Sequence, residues 1–373
     1  MNKTKLLIAA TCMMLLLIGC NNLNNTPVIN SEEKKFDGYD FEQSLYYDSD
    51  TTIKFRVSPM VQVTYIAVEM LYDETGFTNY SYSRDYIEET VEDFNDYKDH
   101  SFIKLLSSMI KNGYSYDAIP KSLYYFDESF TLRNDIELDD EILRRSGGKK
   151  NLEELIVHLR AFRRDSDFDS YFRENKEMYL DIMKQGQEMV ATYEVVETIE
   201  DFYGKPLQNA TITITPFTTN AYGTSITRED GSLEMTPTLH VHEDKESFLA
   251  LLVHEFSHAY VNPLTSEYLD IVDKTKDLFA PIEESMIEHA YPDWEITVNE
   301  HIVRANTAIM IKDILGERAY KNELIHQRDR GFIYIDDVVE SIIYYTENRD
   351  VYPTFKDYYP EIMKVFENLS DEN

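Results

Sequence analysis

Residues 248–260 read FLALLVHEFSHAY, and the five residues His254-Glu255-Phe256-Ser257-His258 at their centre carry the most information in the chain. Residues four apart lie on one face of an α-helix, so both imidazoles can reach a single ion. Apolar side chains surround the pair, Glu246 adds negative charge to the expected first turn, and Asn262-Pro263 follows. The segment therefore predicts a mostly buried, metal-binding helix that ends at Asn262-Pro263.

Glu255 stands directly after the first histidine, which completes an HExxH motif. At that position it can hydrogen-bond a water on the metal without being a ligand itself. Zn²⁺ accepts histidine nitrogens at about 2.0–2.1 Å and lowers the pKa of its bound water to about 7. The motif predicts Zn²⁺ as cofactor, His254 and His258 as ligands and Glu255 as general base. The alternative is a pair of hydrogen-bonded helix histidines beside an ion-paired glutamate.

A two-histidine site needs a third ligand, for which Glu300 is the best candidate, ahead of Glu288, His289 and His301. Pro292-Asp293 predicts the start of a second helix, which runs from Trp294 to Leu315, ends at Gly316 and carries Glu300 42 residues after His258. The alternative is a surface carboxylate that pairs with Arg304 at i, i+4.

This order of a metal helix followed by a glutamate on a second helix resembles the gluzincins among the zincin metallopeptidases. Residues 254–263, HEFSHAYVNP, are also similar to the active-site segment of an uncharacterised family of bacterial zinc metallopeptidases, the domain of unknown function 4932 family. Shorter matching segments are residues 56–59, 97–102, 113–118, 201–204 and 299–305. The resemblance implies a mainly helical, zincin-like α+β fold with a small mixed β-sheet above the HExxH helix.

The resemblance also implies hydrolysis of peptide bonds by a metal-activated water, with a peptide or protein as substrate. An additional donor would stabilise the oxyanion, and the sequence does not choose among the candidates Tyr222, Tyr260, His289, His301 and Arg304. Two alternatives to a peptidase remain. One is a non-catalytic surface binding lipoprotein with a structural or vestigial zinc site, and the other is a zinc hydrolase of cell-wall amides.

Strand signals occur on both sides of the first helical region. Residues 52–57 and 211–215 alternate apolar and polar side chains, and Asp230-Gly231 predicts a hairpin between residues 222–227 and 232–236. Strand 210–215 precedes the metal helix, so it could border the cleft and pair with an extended substrate, or it could belong to the core sheet.

The N-terminal residues read as a targeting segment. Lys3 and Lys5 precede an uncharged run from Leu6 to Ile18, and Leu17-Ile18-Gly19-Cys20 resembles the bacterial lipobox. The resemblance implies a signal peptide at 1–19, lipidation of Cys20 and a flexible tether at 20–35. It implies a lipid-anchored protein of the bacterial cell envelope, at the outer membrane, the periplasmic face or the cell surface.

Composition fits this interpretation. The 36 basic and 69 acidic residues give a net charge of −33, which argues against nucleic acid as a partner, and 43% hydrophobic residues suffice for a core. We expect one extended domain over residues 36–373, with a helical first half (52–200), a metal-site half (201–320) and peripheral C-terminal helices (321–373).

Overall fold

A computed structural model describes residues 41–47, 53–72, 84–207, 210–241 and 244–372. The predicted signal peptide, Cys20 and the tether lie outside these ranges. In the described ranges the fold is mostly helical with a small mixed sheet, which confirms the predicted α+β class. None of the described helices combines the length and the apolar character needed to cross a membrane.

The elements follow one another along the chain, with strands in two separate regions. The first region, up to residue 203, consists of β1 (Leu45–Tyr47), β2 (Lys54–Val57), α1 (Pro59–Met70), α2 (Arg84–Phe94), α3 (Ser101–Lys111), α4 (Ala118–Leu123), α5 (Asp140–Ser146), α6 (Lys149–Asp165), α7 (Phe168–Glu174), α8 (Lys176–Val190) and α9 (Val195–Tyr203).

The second region begins with the remaining strands and ends in helices. It consists of β3 (Thr211–Ile214), β4 (Ser225–Thr227), β5 (Leu233–Met235), β6 (Thr238–Leu239), α10 (Lys245–Ser266), α11 (Leu269–Lys274), α12 (Glu283–Glu288), α13 (Trp294–Leu315), α14 (Glu317–Asp329), α15 (Ile335–Glu347) and α16 (Phe355–Asp371).

The main sheet has the strand order β1-β2-β3-β6, in which β1 pairs antiparallel with β2 and the other neighbours are parallel. Strand β3 lies inside this sheet, because Ile212 pairs with Phe55 on one side and Thr213 pairs with Thr238 on the other. Both of its edges are therefore used. The core-sheet interpretation of residues 210–215 is confirmed, and the expectation that this strand could pair with a substrate is wrong.

The predicted hairpin is confirmed as β4 and β5, which pair antiparallel around Asp230-Gly231. The positive φ of Gly231, 79°, is the backbone conformation that a tight turn requires and that glycine adopts without strain. A further antiparallel bridge joins Tyr222 to Thr238 of β6. Residues 222–224 consequently lie beside the edge of the main sheet.

Helix α10, which carries the HEFSH segment, packs on the sheet through Phe248, whose ring stacks on Phe55 at 6.4 Å between centroids. Asp244 caps the helix by accepting a hydrogen bond from the Ser247 amide. The prediction that Asn262-Pro263 ends this helix is wrong, since it continues to Ser266 with Pro263 inside. Proline removes one amide donor, but the surrounding packing keeps the last turn helical.

Helix α13 has the predicted bounds, from Trp294 after the Asp293 cap to Leu315 before Gly316. Its contact with α10 is more extensive than the contact between any other two described elements. Almost every side chain from Trp294 to Ile311 is buried, polar ones included. The two helices that carry the candidate ligands are thus held side by side.

Candidate metal centre

His254 and His258 project from the same face of α10, and their Nε2 atoms are 3.1 Å apart. Their side chains are only 13% and 15% exposed. Two imidazole nitrogens at this distance repel each other unless a proton or a cation lies between them. The spacing in the motif therefore produces a pair of nitrogens that converge on one point.

Glu300 reaches the same point from α13. Its Oε2 lies 3.7 Å from His254 Nε2, and its Oε1 lies 3.5 Å from His258 Nε2. Ligands held at about 2.0–2.1 Å in tetrahedral geometry are separated by about 3.3 Å from one another. The three observed separations are close to that value, and the three side chains form a group that could hold a metal ion.

The protonation states of the group suit a cation. Burial, followed by the charge of Arg304, keeps the pKa of His254 well below its ordinary value, so this imidazole is neutral. Burial would raise the pKa of Glu300, but the positive groups around the carboxylate, Arg304 first, together outweigh burial and lower that pKa to about 2. A neutral imidazole and an ionised carboxylate are the forms in which these groups bind metals.

Hydrogen bonds orient two of the three ligands. His258 Nδ1 lies 3.2 Å from Asn262 Oδ1, and donation of its proton there leaves Nε2 free to accept a metal. Arg304 Nη2 donates to Glu300 Oε2 at 2.6 Å. Arg304 is itself held by Gln327 Oε1 at 2.9 Å and by the Tyr291 hydroxyl at 2.8 Å. The predicted Glu300–Arg304 pair exists, but it is buried and belongs to the site instead of the surface.

Glu255 is buried next to the histidines without joining the group of three. Burial raises the pKa of its carboxyl group to about 7, against the opposing charge of His258. Gly223 lies so close that an added Cβ would be 2.2 Å from the Glu255 carbonyl oxygen and 2.9 Å from its Oε2. The Glu255 carboxylate therefore lies against the chain at Gly223, beside β6.

The group opens into a cleft of about 1530 Å³ whose lining includes all four residues of the predicted site. The walls come from both regions of the chain, since α5 contributes Glu141 and α13 contributes Glu295 and Ile296. The C-terminal helices were expected to be peripheral, yet α14 supplies Gln327 to this cleft. A substrate bound in the cleft could therefore contact the three candidate metal ligands.

The cleft lining distinguishes among the five candidate oxyanion donors that the sequence could not rank. Tyr222, His289 and Arg304 line the cleft, whereas Tyr260 and His301 do not. Tyr260 instead stacks on Tyr203 at 4.1 Å, and the His301 ring lies among Trp294, Phe332, Tyr334 and Phe366. His289 and His301, considered as third ligands, are outside the group that converges on the metal position, as is Glu288.

Sequence reasoning missed four residues that shape the site: Gly223, Tyr291, Gln327 and Arg330. None of them lies on a helix that carries a candidate ligand, and none belongs to a spacing pattern. The one available signal was Tyr291-Pro292, directly before the Asp293 cap, because a loop that starts a ligand-bearing helix ends close to the ligand.

Comparison with known proteins identifies a family. The family model described as Domain of unknown function (DUF4932) matches residues 60–365, which include the whole candidate site. No curated protein and no solved structure matches the chain.

Proposed function

Because the chain belongs to the DUF4932 family of domains of unknown function, its activity must be inferred from the site, and we propose a zinc-dependent metallopeptidase. The observation that carries the proposal is the convergence of His254, His258 and Glu300 at one side of an open cleft, with Glu255 beside them. The pairing of an HExxH helix with a glutamate-bearing helix supports a zincin-like, gluzincin-type arrangement.

The donor set favours zinc over other biological divalent ions. Two imidazole nitrogens and one carboxylate oxygen suit Zn²⁺, whereas Mg²⁺ and Ca²⁺ prefer oxygen ligands. When bound, zinc supplies Lewis-acid chemistry that polarises a carbonyl group and acidifies water.

The remaining chemistry falls to the side chains. Glu255 would accept a proton from the attacking water and return it to the departing amine nitrogen. The buried Arg304 guanidinium holds Glu300 in the orientation that faces the histidines. Tyr222 lines the cleft and is a candidate donor to the oxyanion.

An open cleft favours an enzyme over a structural site. Structural zinc sites are closed by four protein ligands, whereas catalytic sites keep one position for water or substrate. Within the described residues the group contains three ligands, and the cleft reaches all of them. This geometry supports catalysis over the binding-lipoprotein alternative.

We extend the proposal to the location of the protein. The lipobox-like residues that end in Cys20 support a lipid anchor in the bacterial cell envelope, with the catalytic domain tethered outside the cytoplasm. The substrates would then be peptides or proteins of that compartment.

The test combines metal analysis with a substrate screen of the tether-free protein. We expect about one zinc per chain, its loss in His254→Ala, and chelator-sensitive hydrolysis of denatured protein. Glu255→Gln should retain zinc and lose hydrolysis. Glu267→Gln, an exposed change at the end of the same helix, is the matched control and should retain both.

Two outcomes would contradict the proposal. A Glu255→Gln variant with full activity would remove the general base. Cleavage of purified cell wall in place of denatured protein would show that the site hydrolyses cell-wall amides.

A further inference from the structure

The cleft is lined by four basic side chains, and three of them are already neutralised. The paired ones are Lys121 with Asp139 at 2.7 Å, Arg145 with Asp117 at 2.7 Å, and Arg304 with Glu300 at 2.6 Å. The fourth, Arg330, forms no ion pair with any carboxylate of the described residues.

Arg330 therefore differs from the other lysine and arginine side chains that line the cleft. Arg330 is also only partly exposed, and desolvation followed by repulsion from Arg304 lowers its pKa, against the charge of Glu300 and a hydrogen bond with the Tyr291 hydroxyl. A half-buried guanidinium with no carboxylate in contact retains charge that a ligand carboxylate in the cleft can neutralise.

The position of Arg330 is fixed by its backbone. Its amide donates to the His326 carbonyl at 3.2 Å, and its carbonyl accepts from Ser285 Oγ at 3.1 Å. Gly331 follows with a φ of 88° and packs so closely against Ser285 that a Cβ would not fit. The guanidinium therefore starts from a rigid turn at the end of α14, as a preorganised binding group does.

Arg330 lies near the metal group. Its Cζ is 5.9 Å from the centre of the Phe332 ring, and the Cζ of Arg304, which holds Glu300, is 4.6 Å from the same ring. The two Cζ atoms are therefore at most 10.5 Å apart. An extended peptide advances roughly 3.3–3.6 Å per residue, so a group bound to Arg330 would lie within a few residues of a peptide bond at the metal.

We propose that Arg330 binds a carboxylate of the substrate. The substrate class of this site is then peptides with a carboxylate within a few residues of the scissile bond. The inference rests on the proposed peptidase function. A guanidinium matches the planar, two-oxygen geometry of a carboxylate. The carboxylate is either the C-terminus of the peptide or the side chain of an aspartate or glutamate.

Binding can be measured without turnover in the full chain carrying Glu255→Gln and loaded with zinc. Three probes are titrated calorimetrically: N-acetyl-trialanine as the free acid, the same peptide as its C-terminal amide, and an amide in which glutamate replaces the last alanine. We expect a peptide with a carboxylate to bind about ten-fold more tightly than the trialanine amide, equivalent to about 1.4 kcal/mol.

Variants assign that preference to Arg330. Arg330→Gln should abolish it, Arg330→Lys should retain part of it, and Arg328→Gln should retain all of it. Arg328 is the matched control because it lies on the same turn, is exposed and pairs with Asp336 outside the cleft lining. The thermal unfolding midpoint and the zinc content of each variant establish that it is folded and metal-loaded.

Each outcome has one meaning. Preference for the free acid identifies a C-terminal carboxylate, and preference for the glutamate amide identifies a side chain. Equal binding of all three peptides, no binding of any, or a preference that survives Arg330→Gln overturns the proposal. Hydrolysis by the unsubstituted enzyme, measured separately, tests the peptidase function, so that either claim can fail alone.

Discussion

Replacing Gly223 with alanine tests whether Glu255 must sit where the structure places it. The new Cβ would be 2.2 Å from the Glu255 carbonyl oxygen and 2.9 Å from its carboxylate Oε2. Non-bonded carbon and oxygen atoms stay about 3.3 Å or more apart. The carbonyl belongs to the middle of a long helix and cannot move by itself. The chain at residue 223 and Glu255, the proposed general base, must therefore separate by about 1 Å.

A displacement of about 1 Å at reacting groups lowers a rate by about 100-fold. We expect that loss for Gly223→Ala, with zinc retained, because the atoms nearest to the added methyl group all belong to Glu255. The rate is measured as release of labelled fragments from a fluorescent denatured protein. Zinc is measured by elemental analysis of the same preparation.

Gly231→Ala is the control for general destabilisation. Gly231 has a φ of 79° and no neighbouring atom within 4 Å of an added Cβ. Alanine there costs about 1–2 kcal/mol of stability through its backbone conformation and should leave the rate within about three-fold. If Gly223→Ala keeps more than a third of the original rate, close contact with Glu255 is unimportant. Loss of zinc together with the rate would place the disturbance at the ligands.

Two further predictions concern stability. Arg163 and Asp169 form an ion pair with 0% and 1% exposed side chains, so Asp169→Asn should lower the free energy of unfolding in urea by about 3–5 kcal/mol. The exposed control Asp165→Asn should change it by less than about 1 kcal/mol, and equal effects would contradict the role of burial. Burial would raise the pKa of Glu234, but the charges and hydrogen bonds of Arg133 and Arg228 together outweigh burial and lower that pKa. A carboxylate whose pKa is lower in the folded than in the unfolded chain stabilises the fold above the unfolded-state pKa, and this stabilisation is lost as the pH falls through the folded-state pKa. Glu234→Gln lacks this contribution, so its thermal stability should fall less steeply in acid than that of the original chain. An unchanged acid slope would refute this.

The sequence predicted the parts of the site that depend on regular geometry. Spacing by four residues on a helix fixes the relative positions of His254 and His258 wherever that helix lies. The Asp293 cap and Gly316 set the bounds of the second helix correctly, because capping is a local interaction. The predicted helix end at Asn262-Pro263 was wrong, because packing of α10 outweighed the missing amide donor of Pro263.

The parts that could not be predicted depend on contacts between distant segments. Gly223 meets Glu255 only because a bridge between Tyr222 and Thr238 holds that loop against the sheet. Arg330 faces the cleft only because α14 turns back along α13. A single sequence carries no periodic signal for contacts between distant segments. From the sequence alone, a half-buried arginine in a loop therefore could not be distinguished from a solvent-exposed one.

The burial of α13 affects how a metal ion could bind and dissociate. Glu300 is anchored on a helix whose amides are shielded along most of its length, so this ligand cannot swing away through fraying of a helix end. The histidine side chains border the cleft, where rotation about their side-chain bonds requires no backbone opening. Exchange of the metal with solvent should therefore begin with an imidazole leaving the ion and finish with the carboxylate. The last step of metal release would be the one that leaves the charge of Glu300 paired with Arg304 alone.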